Sequence, residues 1–236
     1  MAEHRILSAA HCFKDPDVRK AMEEGRVTMI SQSQNLTMSS DSIKLDPDAV
    51  KFSPDGVDLA VVKVGIYFPE SMRVPLAYSR CIDDSPYIVA GFGTSSKSQS
   101  SSDLKNLSLR SVKLKKTDSG EGALISLEKT HDVKSGVSNG MGCFGDSGGP
   151  TFCKVDREKW ALAGINVWLF PRIDDPVQST LTPAQKCDSS TYYKSTSVRH
   201  NMDTISGWLN SNTGSNTGSN AGTAKNHVRG QRPALQ

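Results

Sequence analysis

The sequence predicts an all-β barrel or sandwich closed by one terminal helix. Its apolar runs are short and rich in valine and isoleucine: VDLAVVKVGIYF, PYIVAGFG, NLSLRSVKL and KWALAGINVWLF. Gly, Pro, Ser and Asp punctuate these runs, as turns between strands require. Near the end, NMDTISGWLN places Met202, Ile205, Trp208 and Leu209 at helical spacing, with Asn201 available as a cap.

A chain of 236 residues can build one large or two small domains around a core of ordinary size. Hydrophobic residues make up 36% and charged residues 22%, the balance of a somewhat polar globular chain. No apolar run is long enough for a transmembrane helix, so no membrane partner is expected. The first residues lack the basic start and long apolar stretch of a secretory leader. The last segment, residues 211–236, repeats Asn-Thr-Gly-Ser and holds almost no large apolar groups, so it is expected to stay disordered. It carries Lys225, Arg229 and Arg232 with no acid, and these three account for the whole net charge of +3. The body is therefore neutral, which argues against a nucleic-acid partner. The stretch TSSKSQSSSD at 94–103 reads as a polar surface loop.

The chemistry concentrates first in GMGCFGDSGGPTFC at 140–153. Ser147 sits among glycines, after an Asp and before Gly-Gly-Pro. A serine hydroxyl is a poor nucleophile unless a base takes its proton. Its attack also builds an oxyanion, which needs converging backbone N–H donors, and glycines let the chain curl to aim them. Gly-x-Ser-x-Gly also marks the elbow of the α/β-hydrolases. That elbow leads into a helix, however, and Gly-Gly-Pro is a poor helix start. Its acid and histidine also follow the serine, whereas only His200 and His227 follow Ser147 here. Two motifs precede it: His11 in SAAHC, and Asp58 at the mouth of the apolar strand in GVDLAVVKV. Asp55, three residues upstream, is a weaker candidate because it does not adjoin that strand.

The order His, Asp, Ser is that of the chymotrypsin branch of triad enzymes. ILSAAHC resembles the histidine motif of the chymotrypsin/trypsin family, DLAVVKV its aspartate strand and GDSGGP its nucleophile loop. IVAGFG and AGINVWLF resemble further strands. The match runs from about Arg5 to about Leu209. The resemblance implies two packed antiparallel β-barrels with a C-terminal helix, the first barrel incomplete at its N-terminus. Residues 1–92 would form the first barrel and carry His11 and Asp58; residues 93–210 would form the second and carry Ser147. It implies a serine endopeptidase with His11, Asp58 and Ser147 as catalytic residues and the N–H groups of Gly145 and Ser147 as the oxyanion hole. Asp146 should turn inward and order that loop. No metal or cofactor is called for.

The five cysteines add to this reading. By resemblance, Cys143 pairs with Cys187. Cys153 has Tyr87 at its usual partner position, so Cys81 is the expected substitute. Cys12 follows the histidine and has no upstream cysteine to meet. By the same resemblance, the family's first strands and its freed N-terminal amine, which pairs with the Asp at the position of Asp146, are missing here, so the chain is expected to start too late. The resemblance also implies a primary pocket with Met141 at its floor and Trp168 and Leu169 on one wall. No acid stands at the floor, so small or medium apolar residues are expected before the cut; Asp174, Asp175 or Asp188 could reverse this by folding inward. The implied setting is a secreted monomer acting on protein or peptide substrates and meeting protein inhibitors. A catalytically silent homologue acting as a binding module is the alternative. Asn35 and Asn106 stand in glycosylation sequons.

Overall fold

The structure, a computed structural model, describes residues 4–29, 43–44, 47–64, 68, 70–93, 109–117, 122–130, 141–171, 185, 187 and 190–210. The expectations for the 94–103 loop, the sequons, Asp174, Asp175, Asp188 and the 211–236 tail lie outside these residues.

The first half is organised on β5 (Ala60–Val64), flanked by β1 (His4–Ser8) and β4 (Val50–Phe52) in the order β1-β5-β4. β5 reads AVVKV and buries every residue but Lys63, because it lies between two strands and under the rest of the molecule. β1 pairs antiparallel with β5 from His4↔Val64 to Ser8↔Ala60. That register brings the end of β1 beside the start of β5, so residues just after Ser8 meet residues just before Ala60. β2 (Thr28–Met29) and β3 (Ile43–Lys44) form a separate ribbon.

Two helices that the sequence reading did not foresee follow β1. α1 (His11–Lys14) is a single turn; α2 (Pro16–Glu23) is longer. α2 has a physical start signal: the Asp15 carboxylate accepts from the N–H groups of Asp17 and Val18, and Pro16 sits in the first turn, where its missing donor costs nothing. Of its residues, Met22 is the buried one.

The second half is a closed six-stranded barrel. Its members are β6 (Tyr87–Gly91), β7 (Arg110–Lys116), β8 (Leu124–Lys129), β9 (Pro150–Lys154), β10 (Trp160–Pro171) and β11 (Ser190–Ser197), in the order β10-β11-β8-β7-β6-β9. β6 pairs with both β7 and β9. By pairing, β6 thus belongs to this barrel. The apolar run IVAG shows that a strand forms; only its partners show which sheet holds it. Barrel closure also removes the exposed edges that an open sheet would carry.

Inside the barrel, Tyr87, Val89, Leu114, Ile125, Leu127, Cys153, Ala161, Ala163 and Tyr193 form one buried cluster. A second joins the two halves. Ala9 and Leu59 from the first half meet Leu162 and Ile165 of β10, together with Val198 and Ile205. Ile205 belongs to α3 (Met202–Asn210), the expected terminal helix, with Met202 and Trp208 packed alongside and Leu209 exposed. The Asn201 amide donates to the Ser197 carbonyl at 2.7 Å, tying the helix start back to β11. Arg5 donates to the Leu209 carbonyl, linking β1 to the far end of α3.

Two disulfides are present, Cys81–Cys153 and Cys143–Cys187, and Cys12 is a free thiol. The first clips the chain ahead of β6 onto β9; the second ties the loop before Ser147 to the segment before β11.

Candidate active site

The antiparallel register of β1 and β5 delivers His11 onto Asp58. His11 Nδ1 lies 2.6 Å from Asp58 Oδ2, and the His11 backbone N–H donates to Oδ1 at 2.8 Å. Asp58 thus receives two donors from one residue, one fixed by the backbone and one from the ring. The Asp58 side chain is 21% exposed and that of His11 46%, so the imidazole stands at the surface while its partner lies half-buried. From the other half, Thr196 Oγ1 donates to the Asp58 carbonyl at 3.0 Å. Asp58 is therefore fixed by both halves at once, at their junction.

Ser147 stands on an exposed loop between β10's partner β9 and Cys143. Gly145 and Gly148 both adopt positive φ, 89° and 79°, in the left-handed region that a side chain would strain. Gly148 also lies against the histidine segment: a Cβ there would be 3.3 Å from Cys12 Sγ and 3.4 Å from the Ala9 nitrogen. The Ser147 loop is thus seated directly on residues 8–12. His11 Nε2 faces Cys12 Sγ at 3.7 Å, and among the described residues the Ser147 hydroxyl makes no hydrogen bond. His11 and Asp58 are in direct contact; Ser147 is brought to the same junction but not bonded to the ring. Nor, among the described residues, do the N–H groups of Gly145 or Ser147 donate to another backbone group.

Asp146 points inward. Its carboxylate accepts from the N–H of Gly93 at 2.8 Å and of Cys143 at 2.7 Å. The fit depends on bare glycine: a Cβ on Gly91 or Gly93 would come within 2.7 Å of Asp146 Cγ. Its main chain is held as well, the Asp146 carbonyl accepting from the Gly149 N–H.

Asn166 was not singled out in the sequence, yet it organises the loop from beneath. It is fully buried in β10. Its Nδ2 donates to the carbonyls of Ala90 and Asp146, and its Oδ1 accepts from Thr151 Oγ1 at 2.6 Å. Its backbone exchanges bonds with Gly148 and Gly149. Thr151 Oγ1 lies 2.7 Å from Ser195 Oγ, which extends the buried network to β11. The available signal was an amide in the middle of the apolar run AGINVWLF, since a buried amide must find partners.

Of the expected pocket residues, Met141 is half-buried and packs against the barrel core. Trp168 and Leu169 are placed by register, opposite Lys194 and Tyr193; their side chains lie outside the described residues. Burial raises the Cys12 thiol pKa above its ordinary value, and the nearby Asp58 charge raises it further. A protonated thiol is a poor nucleophile. Iodoacetamide at pH 8 should therefore label Cys12 several times more slowly than a free cysteine peptide. Labelling at the peptide's rate, followed by mass spectrometry, would contradict this environment.

A closed antiparallel barrel, a second β half at whose junction a His–Asp pair lies, a glycine-rich serine loop and a terminal helix define the chymotrypsin-like class of fold. The sequence matches the family model Trypsin over residues 1–186, and the chain belongs to that family. No curated protein matches it. Among solved structures, a mutant of human heparin binding protein (CAP37) is similar at a TM-score of 0.54 and 17% identity, over 91% of this chain and 85% of that one. At that identity the likeness speaks to the fold alone.

Proposed function

We propose that this chain is a serine endopeptidase. The observation that carries the reading is the doubly bonded Asp58–His11 pair, with the Ser147 loop seated on the same segment. In the mechanism, His11 Nε2 takes the proton of Ser147 Oγ as the hydroxyl attacks the scissile carbonyl. Asp58 holds the imidazole in the tautomer that leaves Nε2 free and stabilises the imidazolium that forms. The N–H groups of Gly145 and Ser147, which donate to no backbone group among the described residues, receive the oxyanion, and Asp146 fixes the loop that carries them. The protonated His11 then gives its proton to the leaving amine, and water repeats the sequence to release the acyl group. The Ser147–His11 hydrogen bond closes in the substrate complex, as catalytic contacts commonly do.

Protein or peptide substrates follow from this chemistry, with protein inhibitors as the other partners of such a cleft. The two disulfides fit an oxidising, extracellular setting. The chain acts as a monomer and needs no metal or cofactor in this mechanism.

A second reading, a silent homologue that binds without cleaving, is favoured by one observation: Nε2 faces Cys12 Sγ while Ser147 Oγ makes no hydrogen bond among the described residues. One experiment separates the two. A fluorophosphonate probe should label the protein within minutes, and peptide mapping should place the adduct on Ser147. Absence of an adduct on folded protein would leave the binding module as the better account.

A further inference from the structure

We propose that Asn166 is a positioning residue of the oxyanion hole: by holding the Asp146 carbonyl from below, it turns the Ser147 N–H toward the substrate. The inference rests on the endopeptidase reading and deepens it, since it names a determinant of kcat beyond His11, Asp58 and Ser147. The Asp146 C=O and the Ser147 N–H belong to one peptide unit. That unit is planar, and no described peptide bond is cis, so the two groups point in opposite directions. Whatever fixes the carbonyl therefore fixes the donor. The carbonyl accepts from Asn166 Nδ2 at 3.2 Å and from the Gly149 N–H at 3.1 Å. Asn166 is fully buried, whereas Ser147 is exposed. The carbonyl thus faces the interior and the N–H faces the surface. There, among the described residues, it donates to no backbone group.

The Asn166 amide is itself held in this orientation. Oδ1 accepts from Thr151 Oγ1 at 2.6 Å, and Nδ2 also donates to the Ala90 carbonyl at 3.3 Å. A flipped amide would set Oδ1 against the Ala90 and Asp146 carbonyls, acceptor against acceptor. The main chain clamps the same loop. The Gly148 N–H donates to the Asn166 carbonyl at 2.8 Å, and the Asn166 N–H to the Gly149 carbonyl at 2.9 Å. Room for the contact comes from Gly149. A Cβ there would lie 3.0 Å from both the Ala90 and Asp146 carbonyl oxygens and 3.2 Å from Asn166 Nδ2. Gly149 does not adopt a left-handed φ, so its bareness supplies space rather than conformational freedom. The Asp146 carboxylate anchors the same residue on Gly93 and Cys143. Rotatable side-chain bonds separate it from the peptide, however, so it does not set the plane of the Asp146–Ser147 unit.

The test compares the native protein with Asn166→Val, which removes the donor, and with Leu127→Ala as a control for general loosening. Leu127 is fully buried in β8, which pairs only with β7 and β11, and its truncation should destabilise the fold at least as much. Asn166→Val should lower kcat for peptide hydrolysis roughly 100-fold, the scale of a lost oxyanion donor, with KM little changed. Leu127→Ala should keep the native kcat. The second readout is binding of a peptidyl trifluoromethyl ketone and of the matching alcohol. Ser147 Oγ bonds to the ketone carbon, its proton passes to His11, and the carbonyl electron pair moves onto oxygen as an oxyanion; the alcohol cannot be attacked. Ketone affinity should fall in step with kcat in Asn166→Val, while alcohol affinity holds. The third is the crystal structure of each form, in which the Asp146–Ser147 peptide should be rotated only in Asn166→Val. Should that variant fail to unfold cooperatively, Asn166→Thr is read in its place, since its hydroxyl stops short of the Asp146 carbonyl. Native kcat and ketone affinity in the folded variant overturn the proposal. So do parallel losses of alcohol affinity, or an equal loss of kcat in Leu127→Ala. If no form hydrolyses peptides or takes up the ketone, the endopeptidase reading falls and the structures decide alone. A peptide rotated only in the Asn166 variant upholds the positioning, and an unmoved one overturns it.

Discussion

Ser147→Ala is expected to lower kcat for peptide or ester hydrolysis roughly a millionfold, the loss seen when a serine protease of another fold loses its nucleophile. Stability should hardly change. Ser147 is exposed, and its hydroxyl makes no hydrogen bond among the described residues. The left-handed backbone conformations of the loop fall on Gly145 and Gly148, not on Ser147. Deleting one exposed oxygen at such a position normally changes stability by less than about 0.5 kcal/mol. The loop's shape comes from elsewhere, from Asp146 on Gly93 and Cys143 and from Asn166 beneath. A large kinetic effect with an unchanged melting temperature is thus the signature of a nucleophile. The control concerns Cys12, whose sulfur lies 3.7 Å from His11 Nε2. If Ser147→Ala kept a tenth of the rate and alkylation of Cys12 then removed it, the thiol would be the attacking group. The raised thiol pKa opposes that outcome.

The residues proposed for catalysis were legible because each lies in a short local motif whose chemistry has few alternatives. That His11 and Asp58 meet was implied by the family resemblance alone; the antiparallel register that sets Ser8 beside Ala60 comes from the fold. What was not legible depends on register or on polar contacts between distant strands. Tyr193 reads locally as one of two adjacent tyrosines in STYYKSTS. That one of them faces inward follows from strand alternation, but not that its ring meets Gly142, which the fold of the intervening loops decides. Asn166 reads as an interruption in an apolar run; its partners come from Ala90, Asp146 and Thr151. The barrel membership of β6 was hidden for the same reason, since a strand's sequence does not name its neighbours. α2 is a different case. Asp-Pro followed by DVRKAME carries a cap and a good first turn, and the strand-rich surroundings obscured a signal that was present.

Asp58→Asn is expected to lower kcat by about 10^4-fold, the effect of the same exchange in a protease with this triad, and the geometry here says why. The Asp58 carboxylate accepts from two donors of His11, the backbone N–H on Oδ1 and ring Nδ1 beside Oδ2. An amide of the same shape has one accepting oxygen and one donating nitrogen. The backbone N–H is a donor in every state of the protein, so the amide oxygen must stay with it. The amide nitrogen then faces Nδ1, which can accept only if the ring proton moves to Nε2. A histidine protonated at Nε2 cannot take the proton of Ser147, and the imidazolium formed during attack would lose its counter-charge. The contact of Thr196 Oγ1 involves the Asp58 carbonyl rather than the side chain, so the residue should stay in place. The measurement is kcat with a matched pair of controls: thermal unfolding, expected to change little, and the NMR tautomer state of His11, expected to shift the ring proton from Nδ1 to Nε2. Loss of activity with the native tautomer retained would mean that Asp58 acts through something other than the orientation of His11. Retention of more than a tenth of the rate would remove Asp58 from the triad and leave Asp55 to be tested in its place.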